Sequence, residues 1–89
     1  MKIKITKGAR KYGYIIWSKK NNEEMKKLLN NCISLQIQFN GLNIGEKPVD
    51  WKYYRISLGY KFTRALPQDI KYFNLTMHNG ILEVLCTNE

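Results

Sequence analysis

Period-two alternation of apolar and polar residues recurs along this chain and constrains the fold more than any other feature. Lys2-Ile3-Lys4-Ile5-Thr6-Lys7 alternates strictly, with Ile3 and Ile5 on one side. Ile33-Ser34-Leu35-Gln36-Ile37-Gln38-Phe39 does the same, and from Tyr54 to Phe62 the even positions are Tyr54, Ile56, Leu58, Tyr60 and Phe62. Phe73, Leu75 and Met77 lead to Asn79-Gly80, and Leu82, Val84 and Cys86 return on the same face. Such spacing suits strands with one dry and one wet face. Asn40-Gly41 and Asn79-Gly80 are two-residue turn signals, because a type I′ turn needs positive φ at both central positions. They predict two hairpins, with Phe39 opposite Leu42, Ile37 opposite Ile44, Leu75 opposite Val84 and Phe73 opposite Cys86. Truncating Leu75 or Val84 to Ala is expected to cost about 2–4 kcal/mol.

The segments between the strands read differently. Gly8–Gly13 reads as a basic loop, and Tyr14-Ile15-Ile16-Trp17 as a short strand pairing back on the first. Residues 22–31 read as the one amphipathic helix. Asn21 or Asn22 caps it, Glu23 and Glu24 sit where its dipole favours negative charge, and Met25, Leu28, Leu29 and Cys32 form its apolar stripe. Gly45–Asp50 reads as a loop, since Pro48 argues against a central strand. Gly59 suggests a bulge or bend in the long strand. The expected fold is α+β, a predominantly antiparallel sheet of five to seven strands with one helix packed on it. At 89 residues the chain has room for a single domain over residues 1–89. Burial at this size leaves stability marginal, so a homodimer stays open.

Charge is the second constraint. Lys2, Lys4, Lys7, Arg10, Lys11, Lys19 and Lys20 all fall in the first twenty residues, without an acidic group. The remaining residues are nearly balanced, so almost the whole net charge of +8 sits at one end. A field of that shape attracts polyanions. Lys4, Lys7, Arg10, Lys11, Lys19 and Lys20 are the candidate phosphate contacts; Tyr12, with Trp17 nearby, is a candidate for stacking on exposed bases. The plain alternative is a solvated edge strand whose lysines serve solubility. Replacing Lys7, Arg10 and Lys11 by Ala is expected to abolish binding without unfolding. Trp51, Tyr53, Arg55 and Lys61 form a second cluster on the wet face of the long strand. Aromatics with guanidinium suit a single-strand-binding sheet and a protein hot spot equally.

The chemistry-bearing residue types are sparse. His78 stands alone beside a turn, and Cys32, Cys86 and His78 lack metal-ligand spacing. Asp50, Asp69 and Glu83 show no acid–base pairing, and the glycines form no phosphate-cradling loop. No catalytic residue, metal or cofactor is therefore expected. The two cysteines read as reduced, buried and cytoplasmic. Apolar runs are far too short for a membrane span, and Asn74-Leu75-Thr76 reads as a chance glycosylation match.

Two stretches resemble known families in part. Lys4 to about Ile37, with Gly13-Tyr14-Ile15-Ile16 and the helix bearing Met25, Leu28 and Leu29, resembles the AbrB-type swapped-hairpin domain. That resemblance implies an obligate dimer binding DNA through its N-terminal basic residues. Trp17 stands where that family usually has proline, and its Gly-Asp after the helix is absent. Leu66-Pro67 followed by Asn79-Gly80-Ile81-Leu82-Glu83-Val84 is similar to the end of an α-crystallin-type domain, at shorter spacing. The leading expectation is a small non-enzymatic nucleic-acid-binding protein, such as a regulator of transcription, with DNA or RNA as partner. The alternatives are a protein-interaction module using Trp51, Tyr53 and Arg55, and a toxin-type endoribonuclease using Arg55, Lys61 and His78.

Overall fold

The computed structural model describes residues 1–89. Seven strands form one sheet: β1 (Lys2–Lys4), β2 (Tyr14–Ile16), β3 (Ser34–Phe39), β4 (Leu42–Asp50), β5 (Arg55–Ser57), β6 (Tyr72–His78) and β7 (Ile81–Thr87). Their order is β1-β6-β7-β3-β4-β5-β2, antiparallel throughout except for the parallel β3–β7 pair. The fold is α+β, with three short helices rather than one: α1 (Lys7–Tyr12), α2 (Asn22–Leu29) and α3 (Tyr60–Arg64). A 3₁₀ turn at Lys19–Asn21 precedes α2. The sheet curls until β1 and β2, its two free edges, face each other across an open groove.

Seventeen apolar residues fill the interior, among them Ile3, Ile15, Met25, Leu29, Ile37, Ile56, Phe73, Leu75, Leu82 and Val84. Leu75 stands opposite Val84 and Phe73 opposite Cys86. Asn40, Gly41, Asn79 and Gly80 all have positive φ at the two tight turns.

Several sequence expectations are corrected by tertiary partners. β1 does not pair with β2; it pairs with β6, and β2 pairs with β5. The expected basic loop folds as α1. Thr6 caps it, its hydroxyl accepting from Ala9 N–H at 3.0 Å, and Gly13 closes it in the left-handed region. α2 stops at Leu29 because Asn30 and Asn31 both turn left-handed, at φ 53° and 54°.

β4 runs through Pro48 although it lies between two strands. Val49 N–H bonds to Ile33 O, which makes Ser34–Pro48 a non-bonded pair, so the proline nitrogen points away from β3. On the other side the β4–β5 ladder begins only at Val49. The missing N–H therefore breaks no bond. Ile44 is an extra residue between the pairs Ile37–Gly45 and Gln38–Asn43, so Ile37 faces Gly45 instead of Ile44. The expected long strand ends at Ser57. Gly59, at φ 108°, swings the chain into α3, where the buried Thr63 donates its hydroxyl to Arg10 O at 2.6 Å.

Candidate nucleic-acid interface

Two local devices bring aromatic and cationic side chains together on β2 and β5. The first is Gly13. Its left-handed backbone turns the end of α1 into β2, so Tyr12 and Tyr14 stack with centroids 6.2 Å apart and planes at 30°. The second is Asp50. One of its carboxylate oxygens accepts from Lys52 N–H at 3.1 Å and Tyr53 N–H at 3.0 Å, shaping the turn from β4 into β5. The other lies 3.7 Å from Arg55 Nε.

Ile15 and Ile56 point inward from paired positions, which leaves Tyr14 and Arg55 on the outer face. The Arg55 guanidinium then sits 4.6 Å from the Tyr14 ring centroid and 5.3 Å from that of Tyr53. Lys52 lies 5.4 Å from the Tyr53 ring and Lys11 5.3 Å from the Tyr12 ring. α3 extends the series: Arg64 donates to Lys11 O at 3.2 Å and lies 4.6 Å from the Tyr60 ring. The result is a continuous band, Lys52–Tyr53–Arg55–Tyr14–Tyr12–Lys11–Arg64–Tyr60. Tyr12, Tyr53 and Tyr60 are 55%, 57% and 49% exposed, so ring surface remains open to a ligand. Asp50 is the one carboxylate paired with a cation of the band.

The structure divides the expected site residues. Lys11, Tyr12, Tyr53 and Arg55 meet in the band, and Lys61 is exposed on α3 beside Tyr60. Lys7 is exposed on α1. Lys4 lies on β1, lining the groove between the sheet edges with Lys2, and Lys19 and Lys20 lie on the 3₁₀ turn next to that groove. Neither ion pair in the structure, Lys26–Glu23 or Arg55–Asp50, involves any of the seven N-terminal cations.

Arg10 has a different position from the one its sequence suggests. Its guanidinium donates to Leu66 O at 2.8 Å, Pro67 O at 3.3 Å and Ile70 O at 2.6 Å, fastening the 66–70 segment to α1. The triple replacement of Lys7, Arg10 and Lys11 would therefore remove a structural clamp along with two surface charges. The two tryptophans also turn inward. Trp17 is buried and donates to Asn22 Oδ1 at 2.9 Å. Trp51 packs edge-on against it at 5.7 Å and donates to Cys32 O at 2.9 Å, so it does not share a strand face with Tyr53 and Arg55.

His78 is exposed at the end of β6, which is not a neighbour of β5 in the sheet, and no group of three metal-ligating side chains occurs. Cys32 and Cys86 are half-buried rather than buried. Burial pushes both thiols above the ordinary range. For Cys86 the Asn40 side chain and the Arg10 charge act in the opposite direction. No helix is long and apolar enough to cross a membrane.

Tyr14, Tyr60 and Arg64 belong to the band, and no sequence pattern marks them as surface groups. Tyr14 read as part of an apolar run and Tyr60 as an inward strand position. Gly59 was the available signal, since a bend there takes Tyr60 out of the alternation. No protein-family model, curated protein or solved structure matches this chain.

Proposed function

We propose that this chain is a non-enzymatic nucleic-acid-binding protein that takes single strands across the tyrosine–cation band. The observation that carries the reading is Arg55 held between Tyr14 and Tyr53 with Tyr12 stacked beyond. This puts half-exposed tyrosine rings and cationic heads side by side on one surface. Aromatic rings stack on any base, while neighbouring lysine and arginine heads neutralise its phosphates. Bases in a duplex hide their faces, so the band favours unpaired strands. The basic N-terminal segment contributes Lys11 and Tyr12 to the band and Lys7 on the same helix, and α3 adds Lys61.

Fluorescence anisotropy with a labelled ten-nucleotide single strand tests this. Each stacked base is worth roughly 1–3 kcal/mol. Tyr12→Ala with Tyr53→Ala should therefore weaken binding by at least tenfold while leaving the circular dichroism spectrum unchanged. A duplex of the same length should bind more weakly than the single strand. Unaltered affinity in the double variant, or preference for the duplex, would overturn the reading.

A further inference from the structure

The strongest feature outside the band is the open groove between β1 and β2. Its volume is about 200 Å³, and it is lined by Lys2, Lys4 and Thr6 on one side and Ile16, Ser18 and Asn21 on the other, among others. No acidic side chain lines it. Both walls are strand edges, and their hydrogen-bonding groups can be assigned from register. In the β1–β6 ladder, Met1 and Leu75 exchange bonds of 2.9 and 2.7 Å, and Ile5 N–H donates to Lys71 O at 2.8 Å. Bonded and non-bonded pairs alternate along an antiparallel ladder. Lys2 and Lys4 therefore occupy non-bonded positions, with N–H and C=O turned toward the groove, where β1 has no partner strand. The β2–β5 ladder repeats the arrangement. Leu58 N–H donates to Gly13 O and Trp17 N–H to Tyr54 O, so Tyr14 and Ile16 present their backbone groups to the free side of β2.

We infer that the groove is a strand-addition site, where an acidic extended peptide pairs with the free edge of β1. Edge strands with unsatisfied backbone groups are templates for another strand, and lysines at such edges discourage self-association. A second copy of this chain would set Lys2 and Lys4 against the same lysines, and like charges directly opposite oppose pairing. An acidic peptide meets the opposite situation. Its carboxylates fall beside Lys2 and Lys4 on the outer face, with Lys19 and Lys20 on the adjoining turn. Its alternate residues, small and apolar, follow Ile3 and Ile5 inward. The recognised sequence therefore alternates Glu or Asp with Ala or Val over about five residues. This site is separate from the tyrosine–cation band and uses backbone groups that the band does not.

The test is amide hydrogen exchange by NMR on the ¹⁵N-labelled full chain with a blocked Glu-Val-Glu-Val-Glu-Val hexapeptide at millimolar concentration. Exchange at the Lys2 and Lys4 N–H groups should slow at least tenfold, with little change at Tyr60 or Arg64. The same peptide with lysine for glutamate, or with alternate backbone nitrogens methylated, should give no protection. Lys2→Glu with Lys4→Glu, both exposed positions, should reverse the preference toward the lysine peptide. Three results would each overturn the inference: no protection at Lys2 and Lys4, equal protection by the methylated peptide, or the same protection from a ten-nucleotide single strand. Failure of the oligonucleotide to bind anywhere would count against the proposed function alone.

Discussion

Arg10 shows how little residue type alone says about role. In sequence it is one cation among seven; in the fold it is a three-carbonyl clamp between α1 and the 66–70 segment. Arg10→Ala should lower stability by about 2 kcal/mol, since bonds to charged donors are worth more than neutral ones and Leu66 O and Ile70 O lose their partner, while Pro67 O keeps the Ile70 N–H. Arg10→Lys should recover only part of this, because one ammonium lacks the planar fork. Urea unfolding measures both, and a wild-type midpoint in the alanine variant would refute the clamp. The cysteines give a second prediction at this scale. Their pKa values are raised by burial, so the neutral thiol is the form the fold favours. That contribution to stability is full below the unfolded thiol value of about 8.5 and is lost as pH rises through the raised folded values. At pH 8, iodoacetamide should therefore alkylate native protein more slowly than protein in denaturant; equal rates would refute it.

At the scale of elements, α1, β2 and α3 meet at Gly13. A Cβ there would lie 2.3 Å from Gly59 C and 2.4 Å from Tyr60 N, at a φ of 78°. Gly41 has a similar φ of 85° but nothing within 4 Å. Left-handed backbone costs a non-glycine residue about 1–2 kcal/mol. Gly41→Ala should lose about that much, and Gly13→Ala distinctly more, since backbone must move apart. Equal midpoints for the two variants in thermal unfolding would show that the close approach of α1 and α3 is not required. Gly13 and Gly59 also mark turns whose tertiary consequences the local pattern does not contain. Alternation places Leu75 opposite Val84 because both lie within one local excursion of the chain. It cannot place β1 beside β6, seventy residues away, since a three-residue edge strand carries no mark of its partner. Nor does it reveal α1, a helix of weak propensity held by Thr6, Gly13 and the bonds from Thr63 and Arg64. Asp50 and Arg55 were legible as residue types. Their meeting with Tyr14 depends on β2 pairing with β5, which local pattern does not encode.

For the whole molecule, the N-terminal charge run is not one patch. The fold sends Lys11 to the band, Lys2 and Lys4 to the edge groove, and Arg10 into the frame. What joins them is that none of the seven is paired with a carboxylate, the two ion pairs being Lys26–Glu23 and the band's own Arg55–Asp50. Binding of a single strand should therefore depend on salt, with a log–log slope near −0.7 for each phosphate neutralised. The most direct measurement is a chemical-shift map of the labelled chain titrated with a ten-nucleotide single strand at two salt concentrations. The account predicts the largest changes at Tyr12, Tyr14, Tyr53, Arg55 and Tyr60, weakening steeply as salt rises. Changes confined to other surfaces, or an affinity indifferent to salt, would contradict it.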